Sequence, residues 1–260
     1  MFRLDGKTAL VTGASGGIGQ AIARELTPKY RLVLVARSAD KLGALALELG
    51  GAETIALDLS TAEATRQLTR ELEARQLEVS LLVNNAGFAD YGEFWLADPE
   101  KLEQMMMLNV LTLTMLTRAL LPAMVARNAG KVMNVASTAA FMPGPLMAVY
   151  YASKAFVLSF SEALSEELQG TGVSVTALCP GPVSTGFQTA AAMQDSKLLS
   201  NPINPLMDSS SVARAAVAAL ESKQRVVIPG LSNQLLALLP RFVPRALIPG
   251  IVKTAQARKG

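Results

Sequence analysis

The chain has 260 residues, 50% of them apolar and 17% charged, with a net charge of +3. That is enough apolar material for one sizeable core, with no low-complexity segment to divide it. With no histidine, His-based metal sites, Ser-His-Asp triads and His general bases are excluded, and proton chemistry near neutral pH falls to Tyr, Lys, Cys or a shifted carboxylate.

In chain order, apolar runs of strand length alternate with helical patterns. Residues 8–11 form a short apolar run ending in Gly13, and 17–30 have helical spacing with Ile18, Ala21, Ile22 and Leu26 on one face. Residues 32–36, 54–57 and 81–83 read as strands, with helices over 40–49 and 62–74. A long helix is expected over 99–127, then a strand at 131–135, a helix over 148–169 and a strand at 173–178. A helix at 211–220 and a last short strand at 225–228 follow. Continuous apolar strands imply burial on both faces, and the β–α alternation implies right-handed crossovers. The expected fold is α/β: a single domain, 1–260, with a Rossmann-type doubly wound parallel sheet of seven strands and helices on both faces.

Residues 1–7 contain no apolar segment of signal-peptide length. No run reaches the roughly 18 uninterrupted apolar residues of a membrane span. The nearest, 105–116, carries Asn109 and Thr112 and reads as a buried helix. A lone cysteine, Cys179, cannot form an internal disulfide, which fits a reducing compartment; the cytoplasm is the expected location. No metal site is read.

At the first strand-to-helix junction stands Thr12-Gly13-Ala14-Ser15-Gly16-Gly17-Ile18-Gly19. Glycine there permits a tight turn and a close approach of backbone to a pyrophosphate, which the following helix meets with free N–H groups and its positive dipole end. The spacing Gly-x-x-x-Gly-x-Gly after Thr resembles the short-chain dehydrogenase/reductase family, and the rest of the chain can be compared with that pattern. At the end of the second strand, where an acidic residue would bind a ribose 2′-hydroxyl, stands Arg37. A guanidinium suits a 2′-phosphate, so NADP is the expected cofactor and NAD the alternative. NADP members of the family often also carry a basic residue in the glycine loop, where this chain has Gly16.

The resemblance assigns further cofactor contacts. Asp58 and Leu59 match its adenine-contacting pair, although Asp58 is also placed to cap the helix opening near Thr61. Asn84-Asn85-Ala86-Gly87 matches the element that steadies the sheet and lines the ribose. Pro180-Gly181-Pro182-Val183-Ser184-Thr185 matches the element in which Val183 and Thr185 contact the nicotinamide carboxamide. Cys179 beside it reads as a small core residue.

Tyr150 and Lys154 lie four apart on a predicted helix and share a face. A nearby ammonium is expected to lower the phenol pKa, making Tyr150 the acid that protonates a developing alkoxide. Helix geometry also allows Tyr151, but the family pattern Tyr-x-Ala-Ser-Lys selects Tyr150, with Lys154 also holding the ribose hydroxyls. Ser137 could donate to the substrate oxygen, and Asn109 completes the family's set with Ser137, Tyr150 and Lys154. The substrate is expected against Ser137 and Tyr150.

The largely apolar segment 186–208 reads as a lid over an apolar substrate. From Gly230 onward there are five basic residues (Arg241, Arg245, Lys253, Arg258, Lys259) and no acidic ones. Within this extension, 231–260, residues 235–247 read as broken amphipathic helix, either packed on the pocket or a neighbouring subunit, which is preferred, or in peripheral contact with a membrane. Nucleic acid is not an expected partner. The resemblance implies a homodimer or homotetramer formed through the two long helices.

The function these residues imply is NADP(H)-dependent reduction of a ketone or aldehyde, reversible as alcohol oxidation, on an apolar small molecule. An NAD-linked alcohol or hydroxysteroid dehydrogenase is the second reading. A non-catalytic dinucleotide-sensing or membrane-associated module is the third, and the complete Asn109, Ser137, Tyr150 and Lys154 set argues against it.

Overall fold

A computed structural model describes residues 7–200 and 206–258. Its seven strands are β1 (Thr8–Thr12), β2 (Arg31–Ala36), β3 (Glu53–Ala56), β4 (Val79–Asn84), β5 (Gly130–Val135), β6 (Val173–Leu178) and β7 (Val226–Val227). They form one parallel sheet in the order β3-β2-β1-β4-β5-β6-β7. The order reverses between β1 and β4, and in such sheets the crevice beyond the strand C-termini at that point binds ligands.

Alternation within the strands feeds two cores. Ala9 and Val11 of β1 point to a core shared with α1 (Gly17–Leu26), α2 (Ala39–Glu48) and α8 (Ser209–Glu221). Leu10 points to the opposite core, closed by α3 (Ala64–Ala74), α5 (Leu113–Ala126) and α6 (Ala148–Glu167). Every residue of β1 is buried, as a strand covered on both faces requires.

The helix expected over 99–127 is continuous but not uniform. α4 (Pro99–Met106) passes through a π-helical stretch, Met107–Thr112, into α5. Such wide turns recur at functional sites, and Asn109 sits in this one. By length and composition this is the one helix among the described residues able to cross a bilayer; here one face packs on β4 and β5, and 33% of its apolar window is buried, less than the buried helix read over 105–116 implies.

The lid and extension also take form. α7 (Phe187–Ala190) and a 3₁₀ turn, Lys197–Ser200, lie in the predicted lid, whose Ile203 falls outside the described residues. The extension comprises α9 (Leu231–Leu238), a 3₁₀ turn at Leu239–Arg241 and α10 (Ile248–Gln256); Lys259 falls outside the described residues. The prolines at 240 and 244 account for the break, since neither can continue a helix from the preceding turn. α10 extends beyond the broken helix read over 235–247, with Pro249 in its first turn, where a missing N–H costs nothing.

Candidate active site

A cavity of about 670 Å³ opens at the switch point and runs from the glycine turn to the C-terminal helices. Its first wall is the turn after β1. Gly13 has φ +66, and a Cβ there would meet Asn85 Nδ2 at 2.8 Å and Ala86 Cα at 2.9 Å. Gly17, at φ +56, would press on Thr185 Cγ2 at 3.1 Å. Gly16 faces open space, and no side chain caps the first N–H groups of α1. An uncapped helix end beside an open backbone turn fits a dinucleotide pyrophosphate.

Gly19 has a different task. It does not line the cavity; a Cβ there would lie 2.4 Å from Asn85 Nδ2 and 2.5 Å from Gly13 O. Its missing side chain lets α1 close on Asn85, whose amide ties the turn together by donating to Thr12 O and Gly13 O at 3.0 and 3.1 Å.

Arg37 lines the end of the cavity beside the glycine turn together with Ser38 and Lys41, two residues the sequence reading passed over. Asp58 and Leu59 face them. Asp58 is not the cap of the following helix, because α3 starts only at Ala64 with Glu63 as its N-cap. It accepts instead from Ser60 N at 2.9 Å and Ser60 Oγ at 2.7 Å, a local turn that competes with helix initiation. Burial raises the Asp58 pKa, but these hydrogen bonds and the Arg37 guanidinium outweigh it and hold the carboxyl below its ordinary value.

Farther in, Asn85, Ala86, Gly87, Pro180, Gly181, Val183 and Thr185 line the walls around Tyr150 and Lys154. Gly181 is required by a contact the sequence did not reveal: a Cβ would stand 2.1 Å from Oδ1 of the buried Asn233 in α9. The extension thus braces the loop after β6. Bracing by an extension remote in sequence leaves no local signal.

Tyr150 and Lys154 share one face of α6, with the Lys154 ammonium 5.8 Å from the Tyr150 ring centroid. The expected lowering of the phenol pKa is not found. Burial pushes Tyr150 up to about 12, and a hydrogen bond with Ser137 draws it back only in part. Burial also pushes Lys154 down to about 8. Its Nζ donates to Val135 O at 2.7 Å, so a backbone carbonyl holds one of the ammonium's three N–H donors. Spacing along a helix carries the ammonium's effect but not desolvation, which acts on both groups.

Asn109 is brought near but stays behind the wall. It is buried and does not line the cavity. Its Oδ1 accepts from Phe88 N at 3.1 Å, and its Nδ2 donates to Phe88 O at 2.9 Å and Ser153 Oγ at 3.2 Å. The amide therefore clamps the loop after β4 to the helix that carries Tyr150 and Lys154.

Tyr151 also lines the cavity, but its hydroxyl is engaged by Gln256 Nε2 of α10. The Gln256 carbonyl accepts from Tyr91 Oη at 2.6 Å and Ser196 Oγ at 3.1 Å. Segment 186–200, the loop after β4 and α10 converge on this one residue. Phe187 from α7 packs on Tyr150 with ring centroids 5.6 Å apart. Leu236, Leu239, Val243, Ile248 and Val252 complete an apolar end, so the extension packs on the pocket, as preferred from sequence.

A phosphate-ready turn at the switch point of a doubly wound sheet, leading to a buried Tyr–Lys pair, defines a Rossmann-type oxidoreductase. Comparison with known proteins narrows the class. The family model for short chain dehydrogenases matches residues 7–196. Mouse very-long-chain 3-oxoacyl-CoA reductase is 31% identical across 97% of this chain and 82% of its own length. A ketoacyl reductase of a Nostoc species is 34% identical across 88% of this chain and 80% of its own. A short-chain dehydrogenase from Sphingobium yanoikuyae, solved in complex with NADPH, aligns with a TM-score of 0.80 at 31% identity, covering 97% of this chain and 99% of that one. The chain belongs to the short-chain dehydrogenase family and is an oxidoreductase acting on carbonyl or hydroxyl groups.

Proposed function

We propose that the chain is an NADPH-dependent reductase of an apolar ketone or aldehyde. The observation that carries this reading is the polarity of the cavity: Arg37, Ser38 and Lys41 at the end that would take the adenosine, and aliphatic side chains of the lid and extension at the other. A guanidinium where an NAD enzyme would place a carboxylate favours a 2′-phosphate. The relatives named as ketoacyl reductases support a 3-oxoacyl compound as the substrate. The mid-chain helices present Met106, Leu111, Met115 and Phe156 to solvent, a face suited to homodimer or homotetramer assembly.

Gly13, Ser15, Gly16, Gly17 and Ile18 would cradle the pyrophosphate, and Lys154 would hold the ribose beside the nicotinamide. When bound, the reduced dinucleotide supplies a hydride to the carbonyl carbon. Ser137 steadies the carbonyl oxygen by donating a hydrogen bond, and the Tyr150 hydroxyl releases its proton to that oxygen as negative charge develops. The buried, protonated Lys154 offsets the phenolate left behind. Phe187 and the extension keep water from the reacting carbon.

Kinetics of Arg37→Asp test the cofactor assignment. Loss of a charge-assisted contact worth about 1.5–3 kcal/mol should lower kcat/KM for NADPH roughly ten- to a hundredfold and leave NADH little changed. An unchanged NADPH preference would remove the assignment. A turnover panel of apolar ketones and 3-oxoacyl thioesters tests the substrate class.

A further inference from the structure

We infer that the outer face of residues 231–258 is a docking surface for an anionic lipid bilayer. Seven of the 17 exposed large apolar side chains among the described residues lie between 231 and 251, and five of them (Leu231, Leu235, Leu238, Phe242 and Leu247) are outside the cavity lining. Phe242 is 82% exposed, Leu231 78% and Leu235 69%. They are not core residues left without a core, because the inner face of the same segment is already used by Leu236, Val243, Ile248 and Val252 to line the cavity. The segment is two-faced by construction.

Charge selects the occupant. Arg241, Arg245 and Lys253 are exposed among these apolar side chains, and from residue 230 onward the chain has no acidic residue. The rest of the chain carries 19 basic and 21 acidic residues. An apolar face rimmed by uncompensated cations fits anionic headgroups over acyl chains. α9 and α10 have eight and nine residues, too short to span a bilayer, so they would lie in its plane. The loop bearing Phe94, Trp95 and Leu96, all exposed, follows Tyr91, which is bonded to Gln256 at the end of α10. An exposed tryptophan there suits the headgroup layer. Self-association has another face available, on the mid-chain helices. The inference does not depend on the reaction assigned above.

The test is co-sedimentation of the full-length protein with phosphatidylcholine vesicles, with and without phosphatidylglycerol. Binding is expected only to the anionic vesicles and should fall with added salt. The double variant Arg241→Glu/Arg245→Glu should weaken it at least about tenfold, as should Leu235→Ser/Phe242→Ser. None of these four side chains lines the cavity, so NADPH-linked turnover of a small soluble ketone should stay within about twofold. No sedimentation, or equal sedimentation with neutral vesicles, would overturn the inference. So would a concentration-dependent oligomer that Leu235→Ser/Phe242→Ser dissociates while vesicle binding is unchanged, because a second copy would then be the occupant. Vesicle binding by a protein that turns over no carbonyl compound would defeat the reductase reading and leave the docking face standing.

Discussion

Tyr150 and Tyr151 are adjacent, equally buried and in edge-on contact at 6.2 Å, yet their hydroxyls have different partners. Tyr150 is hydrogen-bonded with Ser137, whereas Tyr151 is engaged by Gln256. In the proposed reaction the first pair would offer a substrate oxygen two hydroxyl donors, since Ser137 and Tyr150 both line the cavity. Tyr150→Phe should therefore lower kcat by about 10²–10⁴-fold, the usual worth of a positioned acid. Tyr151→Phe should keep kcat within about tenfold, since general acid catalysis does not pass through it. The reverse ranking in single-turnover kinetics would exchange the two assignments. The pH dependence has a definite sign. Lys154 has an ordinary pKa of 10.5, and burial pushes it down to about 8, so the ammonium is present below that value and lost above it. Tyr150 holds its proton up to about 12. Reductive kcat/KM should thus fall as pH rises through about 8, on a limb belonging to Lys154; a profile flat to pH 10 would refute this. The Tyr–Lys pairing was legible because i, i+4 spacing is local. Its charge state was not, because desolvation depends on everything packed around the pair.

At the level of elements, the sheet was legible almost strand for strand, because burial on both faces writes continuous apolar runs. Two features that hold elements together were not. The π-helical stretch at Met107–Thr112 has no periodic signature of its own; Asn109 was legible as a polar interruption, but its grip on Phe88 joins segments 21 residues apart. The second feature is an amide relay between neighbouring strands. Asn84 and Asn134 are register partners in β4 and β5. Asn84 Nδ2 donates to Asn134 Oδ1 and Thr117 Oγ1, and Asn134 Nδ2 donates to Ser161 Oγ, all at 2.9 Å. All four side chains are buried. The relay ties the sheet to α5 and α6, the latter bearing Tyr150. Asn134→Ala leaves Asn84 short of a partner and should cost about 1–3 kcal/mol. The check is the urea midpoint: it should fall with an unchanged slope, whereas no change would mean that the relay contributes nothing net.

Across the whole molecule, the cavity divides by sequence. The glycine-turn half is built by residues up to Thr185, where every motif lies, and the apolar half mainly by segment 186–200 and the extension, joined by Phe88, Met142 and Met147. The first half was legible because phosphate and ribose impose fixed backbone demands on glycine, arginine and amide positions. The second was legible only as apolar and basic, since an aliphatic wall has no required spacing, and its fixing points, Asn233 and Gln256, act on residues far away in sequence. This division can be measured. Ile248 and Val252 are buried on α10 and line the apolar end. Replacing both by serine removes apolar contact with the substrate but leaves the glycine turn, Arg37 and Lys154 untouched. With roughly 1.5–3 kcal/mol per buried aliphatic side chain as the upper limit for each, and only part of each touching substrate, KM for a long apolar ketone should rise about ten- to a hundredfold. The Kd for NADPH should stay within about threefold. A parallel loss of both would mean that α10 supports the nucleotide half through Gln256 and Tyr151, and the two halves would then have to be treated as one site.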